Sequence, residues 1–498
     1  MPKRFPDLDA ELRATLEVPN GAPRVLRIAS PNKVTLEPAS ASKRPGLAPG
    51  THPLTVRWKD KTYAANDPHW DSPLPIGLTL EWSTDGKVFE PVPSSALRPT
   101  ASNGGVRVWL WFGVALALGA LGWLFFARRF RTDAPWHLAR RIAVPAVLLL
   151  ATCVRLYDYD VMPTFRDNDD ELFATWNGWQ LLTDGGTRGW TLWPQRYRRN
   201  EVRFELPSYF RERPFYVVQP YLEHPPLLHV LVGIAAKLSG AHHWLHAKLK
   251  YTRLVPIALS VLATWLVMLV AQRLSRDGPA PEFAGLLYAV LPPLVLQQRV
   301  IKEETLVTTL LLGAMWLFLR WRDDGRTPRL LVWLGIVCGL GALTKLPAGV
   351  LVPVFVALVW AESDWRAAGR VAISGLLVSA LVLVYGAVVS WSVFTHATAI
   401  QATLRHAHWN VFFRFFAEPL VNHNRFGAGW IVFLWIALAG AWATYTERDR
   451  RLLAFTLIGY LVAIAIPSGN WHYGWYFLPL YPILVIGTGR FLANLYAE

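Results

Sequence analysis

From position 106 onward the chain alternates long apolar runs with short polar turns, whereas its first hundred residues alternate on a much shorter period. There, strand-like pieces at 24–29, 33–37, 54–58, 76–82 and 88–92 are punctuated by Pro, Gly, Asn and Asp, with Asp85-Gly86 between the last two. That pattern predicts a small antiparallel β domain over 1–104, joined by a flexible linker at 100–105. The apolar runs then fall at 106–126, 142–156, 252–272, 283–299, 304–321, 330–344, 347–361, 371–391, 428–445, 452–466 and 475–491. Several are shorter than the roughly 20 residues a straight helical span needs. The fold class predicted is a polytopic α-helical membrane protein of about eleven spans. One additional transmembrane helix covers 105–127, and a membrane domain covers 139–498 with long loops at 157–250 and 392–427.

Composition agrees with this pattern. Apolar residues make up 53% of the 498 positions and charged residues 17%, against about a quarter in soluble domains, which excludes a disordered chain and an ordinary soluble enzyme. The net charge of +15 would suggest a nucleic-acid partner, but most of the excess lies between apolar runs. Membrane topology and anionic lipid explain it better. Cys153 and Cys338 both fall inside apolar runs, which argues against a disulfide framework and a thiolate metal site.

Orientation follows from Lys and Arg in the short loops. One set of alternate loops holds Arg128, Arg129, Arg131, Arg140 and Arg141; Arg273 and Arg276; Arg320, Arg322, Arg326 and Arg329; Arg366 and Arg370; and Arg448, Arg450 and Arg451. The opposite short loops are much poorer in cations. The rule therefore predicts a multi-pass protein of the plasma membrane, with the β domain and both long loops on the extracytoplasmic side.

Candidate chemistry gathers on that same side. The first long loop opens with Asp158, Asp160, Arg166, Asp167, Asp169, Asp170 and Glu171, directly after an apolar run. Acids so dense at a membrane boundary are costly unless they are paired, metal-bound or catalytic. From Leu172 to Leu182 the spacing is helical, which places Asp170 and Glu171 at a helix start. The loop closes on Tyr221-Leu-Glu-His-Pro-Pro-Leu-Leu-His229, whose paired prolines suit another helix start. Arg299, Lys302, Glu303 and Glu304 occupy one tight turn, Lys345 a second, and Trp471-His-Tyr-Gly-Trp-Tyr476 the last. Cations here suit a lipid phosphate, and aromatic rings suit a sugar.

At these residues the chain resembles the bacterial branch of the protein O-mannosyltransferases, which includes the aminoarabinose transferases of lipid A and belongs to the membrane C-type (GT-C) glycosyltransferases. Asp170-Glu171 resembles the family's Asp-Glu motif, and Glu223-His224-Pro225-Pro226-Leu227 its Lys/His-Pro-Pro-Leu segment. The turn from Arg299 to Glu304 resembles its Arg…Asp/Glu turn, Leu343-Thr-Lys-Leu-Pro347 its Thr-Lys-Gly-Pro turn, and Tyr476 to Pro482 its late Tyr-Leu-Leu-Pro motif. The likeness runs from about residue 139 to the C-terminus. Leu47–Trp58, Leu78–Trp82 and Pro91–Leu97 are similar to the second half of a protective-antigen-type β-sandwich, a fold that often binds carbohydrate, with its first strands missing.

The resemblance implies inverting, carboxylate-assisted transfer of a sugar from a polyprenyl-phosphate donor to an acceptor hydroxyl of a lipid, glycan or protein at the outer membrane face. Asp170 and Glu171 become the catalytic carboxylates. His224, Arg299, Lys345 and His472 become the donor-phosphate ligands, and Asp169, Glu223, Glu304, Trp471, Tyr473 and Tyr476 the substrate contacts. If a divalent cation takes part, Glu223 and His224 are its candidate ligands. His224 and His472 depart from the pattern, since many relatives carry Lys at those places. The alternatives are a ligase or polymerase of lipid-linked glycans, and a transporter or receptor for a lipid-linked sugar. Mid-span ionisable residues and paired half-repeats would favour a transporter, and neither is visible in the sequence.

Overall fold

The computed structural model describes residues 8–18, 25–29, 34–37, 48, 50–60, 79–83, 90–91, 97–99, 135–160, 162–163, 170–206, 215–244, 247–275, 278–404, 413, 429–465 and 474–497. The chain divides into two compact units, one of residues 1–118 with 204–216 and one of residues 119–203 with 217–498.

The first unit contains strands β1 (Leu8–Val18), β2 (Val25–Ala29), β3 (Val34–Glu37), β4 (Gly50–Asp60), β5 (Thr79–Ser83), β6 (Glu90–Pro91) and β7 (Leu97–Pro99). They form one sheet of order β3-β4-β1-β7 and another of order β2-β5-β6. Pairing is antiparallel, with Leu12 opposite Val56 and Leu26 opposite Trp82. The sequence pattern predicted neither β1 nor β7. β1 does alternate Leu8, Ala10, Leu12, Ala14, Leu16 and Val18 with polar residues, but the two alanines dilute the signal. The additional helix expected at 105–127 lies outside the described residues.

The second unit is helical: α1 (Pro135–Leu156), α2 (Glu171–Asp184), α3 (Leu227–Leu238), α4 (Leu249–Thr252), α5 (Leu254–Leu274), α6 (Ala280–Val290), α7 (Pro292–Gln297), α8 (Glu303–Asp323), α9 (Pro328–Thr344), α10 (Leu351–Glu362), α11 (Trp365–Ser379), α12 (Leu381–Leu404), α13 (Gly429–Trp442), α14 (Glu447–Ala465) and α15 (Tyr481–Ala497). Among the described residues, three helical stretches are long and apolar enough to cross a membrane: Leu249–Leu274, Trp365–Gln401 and Gly474–Ala497. With the shorter apolar helices between them they make a polytopic helical membrane domain.

Two helical stretches carry breaks. The run 283–299 is not one helix, because Pro292 and Pro293 lack the N–H groups that would continue α6; the chain bends at Leu291 and restarts as α7. The run that ends at 391 meets a kink at Ser390, whose φ of −173° and ψ of 101° are non-helical, and helix resumes beyond it to Leu404. Residues 405–412 and 414–428 of the predicted second long loop lie outside the described residues.

Within a membrane, helices associate through close packing rather than through the hydrophobic effect, and small residues set the approach. A Cβ at Gly339 would stand 2.5 Å from the Gly375 carbonyl oxygen, so α9 and α11 meet backbone to backbone. The same holds outside the spans. A Cβ at Gly178 of α2 would stand 1.9 Å from the His229 carbonyl oxygen of α3. Gly178→Ala is therefore expected to cost about 3 kcal/mol or more, read as a fall in the melting temperature of the detergent-solubilised chain.

The core runs through α5, α8, α9, α10, α14 and α15, where Val267, Leu311, Leu334, Phe355, Leu452 and Leu484 have no exposure. At one end of these helices the arginines are paired with acids. Arg273 grips Asp324 through two bonds of 2.8 and 2.7 Å, Arg322 meets Asp449 at 2.8 Å, and Arg448 and Arg451 face Glu362. The opposite end holds the starts of α5 and α8 and the end of α9, and there the candidate residues collect.

Candidate active site

The helix start predicted at 170–171 is present, but its two acids separate. Successive side chains on a helix diverge by about 100°. Glu171 turns inward, has no exposure, and spends both oxygens on fixed partners. Arg253 donates to it through Nε at 2.9 Å and through a terminal nitrogen at 2.6 Å, and the Ile301 N–H donates at 3.0 Å. Arg253 also donates to the Tyr159 carbonyl at 2.8 Å. Asp170 turns outward, keeps 27% side-chain exposure, and forms an ion pair with Lys302, which precedes α8.

The Lys302 ammonium lies 3.9 Å from the centre of the Trp475 ring. Lys345, at the end of α9, repeats the arrangement, paired with Glu304 and 4.1 Å from the centre of the Tyr476 ring. Burial pulls both ammoniums down. The acids outweigh it and hold both above the ordinary lysine value: Asp170, Glu304 and Glu303 act on Lys302, and Glu304, Tyr476 and Glu303 on Lys345. Two charged amines thus stand over neighbouring aromatic rings, each beside a carboxylate.

His224 adds a third nitrogen-bearing side chain. Its ring stacks on Phe173, with centres 4.7 Å apart, and its Nδ1 lies 2.9 Å from Glu303 Oε1. Behind it sits His229, fully buried. The Asn177 amide is oriented by the Arg188 N–H, which donates to its oxygen, so its nitrogen donates to His229 Nδ1 at 2.7 Å. In the neutral ring the proton is then on Nε2, 3.7 Å from the same Glu303 oxygen. Glu303 is therefore faced by two histidines, and the outer edge of His224 is left a quarter exposed. Glu223 pairs with Arg196, both nearly buried.

Arg299 is the candidate that moves furthest from its expected role. It donates to the carbonyls of Val154 at 2.5 Å and Met162 at 3.3 Å, and it stands 5% exposed. Burial lowers its pKa, partly offset by Asp158. The cation that meets Asp170 is Lys302, three positions later. Sequence reasoning placed Lys302 in the turn but preferred Arg299, and it did not single out Arg253, Glu303, Trp475 or His229 as site residues. Asp169, Trp471, His472 and Tyr473 lie outside the described residues. Among the described residues no group of three or more His, Cys, Asp or Glu could hold a metal ion.

Residues 223–391 match the family model of dolichyl-phosphate-mannose-protein mannosyltransferases. The chain is 25% identical over 302 residues to the undecaprenyl phosphate-alpha-4-amino-4-deoxy-L-arabinose arabinosyl transferase 2 of Pseudomonas fluorescens (strain Pf0-1), covering 56% of this chain and 52% of that protein. It is 28% identical over 275 residues to the corresponding transferase of Pseudomonas paraeruginosa (strain DSM 24068 / PA7), covering 51% and 47%. The chain thus spans about half the length of these curated relatives. The crystal structure of ArnT from Cupriavidus metallidurans in the apo state superposes with a TM-score of 0.51 at 18% identity, over 71% of this chain and 60% of that one. At that identity the likeness speaks to the fold.

Proposed function

From the premise that this chain carries a membrane domain of the GT-C glycosyltransferase type, we propose that it transfers a sugar from a polyprenyl-phosphate donor to an acceptor hydroxyl. The donor class comes from the relatives named for undecaprenyl-phosphate-linked aminoarabinose. The reaction takes place at the extracytoplasmic face and inverts the anomeric centre in a single displacement. Asp170 accepts the hydroxyl proton as the acceptor oxygen attacks the anomeric carbon and the bond to phosphate oxygen breaks. Lys302, Lys345 and His224 hold the phosphate as it leaves with the bonding electrons. The buried Glu223 Oε1 and Glu304 Oε2, which have no hydrogen-bond partner among the described residues, are suited to accept from sugar hydroxyls.

The observation that carries this reading is the partly exposed Asp170 against Lys302, with Lys345 over Tyr476. In this reading a base for the acceptor and cations for the leaving group stand in one neighbourhood, where Glu304 acts on both lysines. Glu171, with both oxygens occupied, is a positioning residue in this reading. The β domain would present the acceptor or bind glycan.

The test incubates the purified full chain in lipid nanodiscs with radiolabelled polyprenyl-phosphate sugars and a bacterial envelope extract, with and without a chelator. Label in an acceptor together with free polyprenyl phosphate is expected. Label that crosses the bilayer still attached to its lipid would replace this reading by a transporter. Loss of transfer on chelation, restored by magnesium or manganese, would add a divalent cation.

A further inference from the structure

We propose that the turn 298–302 is a platform tied down residue by residue, and that Arg155, acting through Gln298, is a positioning residue that sets the Lys302 ammonium against Asp170. The proposal rests on the reading of Asp170 and Lys302 as the reacting centre.

The argument begins at the helix break. Pro292 and Pro293 cannot donate to the carbonyls four residues earlier, so Tyr288 and Ala289 lose their helical partners. Arg155, in the last turn of α1, donates to both, at 3.0 and 2.9 Å, and is itself without exposure. Among the described residues no carboxylate pairs with it. A buried guanidinium is costly, and a merely structural fix for two carbonyls would not need its reach. The same terminal nitrogen that serves Tyr288 also donates to Gln298 Oε1 at 2.9 Å, and the Gln298 amide donates to the Tyr288 hydroxyl at 2.5 Å. Arg155 thus links the break to the first residue of the turn.

The ties continue along the chain. Arg299 donates to the Val154 and Met162 carbonyls, the Ile301 N–H donates to Glu171, and Lys302 pairs with Asp170. Each of these three ties ends on the close of α1, the segment after it, or the start of α2. A lysine side chain has several rotatable bonds and does not fix its own ammonium. Here its backbone is fixed on both sides by buried contacts, so the ammonium has little freedom left.

The test uses the full chain in nanodiscs, an amine-acylating reagent, and peptide mapping by mass spectrometry. In Arg155→Met and Gln298→Met, acylation of Lys302 is expected to rise about fivefold or more through local opening of the turn, while Lys345 changes less than about twofold. Gln298→Met leaves Arg155 on the two carbonyls and so serves if Arg155→Met does not fold. Arg155→Lys is not expected to restore protection, because one ammonium cannot span both carbonyls and Gln298. Equal rises at Lys302 and Lys345, or no rise at Lys302, would overturn the platform. A wild-type chain that transfers no sugar would overturn the proposed function and leave the labelling contrast to decide the platform.

Discussion

Asp170→Asn is expected to lower sugar transfer by about 10²–10⁴-fold while the protein folds and still binds the donor lipid. The carboxamide has nearly the same shape but cannot accept the acceptor's proton. The helix start is unaffected, because the Asp170 side chain makes no capping hydrogen bond to α2. Lys302, only 3% exposed, loses its carboxylate partner, which leaves its charge available to the donor phosphate. Donor affinity measured with a non-hydrolysable phosphonate analogue should therefore hold or improve as turnover collapses. Turnover within tenfold of wild type would remove Asp170 as the base. Loss of donor binding together with turnover would make it a phosphate-site residue instead.

The sequence made the neighbourhood of this site legible for a physical reason. Charges at a membrane boundary must be paired, so the acids at 170–171 had to meet the cations of later turns. Asp170 on Lys302 and Glu171 on Arg253 are those meetings. Which acid meets which cation was not legible. Asp170 and Glu171 are adjacent and chemically alike, and only the packing of α2 decides which one points inward. Arg299 and Lys302 are three apart in a turn before a helix, and the difference between them arises from free carbonyls at Val154 and Met162 that no local pattern announces.

One signal was available and weak. Arg155 interrupts an otherwise apolar run, and Pro292-Pro293 interrupts another. A buried arginine needs acceptors, and a double proline creates them, but 134 residues separate Arg155 from Ala289. Helices themselves were legible because apolar runs fold locally, whereas their breaks depended on a distant partner. His229 was hidden for a similar reason: it points inward from α3 to Asn177, a contact made only once α2 and α3 close through Gly178.

The second large effect is expected at Arg253. Glu171 has no exposure, and Arg253→Met would remove two of its three donors, leaving a buried carboxylate with the Ile301 N–H alone. Breaking a buried pair from one side costs about 3–5 kcal/mol, because the stranded charge keeps its desolvation penalty. Replacing both partners removes that penalty. The double variant Glu171→Leu with Arg253→Met should recover a large part of the lost stability, short of the wild type, since the Ile301 N–H and the Tyr159 carbonyl each lose a partner at about 1–3 kcal/mol. Thermal inactivation rates of the solubilised chain would check the order: wild type slowest, the double variant next, Arg253→Met fastest. A double variant as labile as the single one would mean that the pair supplies net attraction rather than mutual neutralisation. Activity separates the two acids further. If Glu171 only positions, the folded double variant should keep more transfer than Asp170→Asn, although it lacks a carboxylate one residue away.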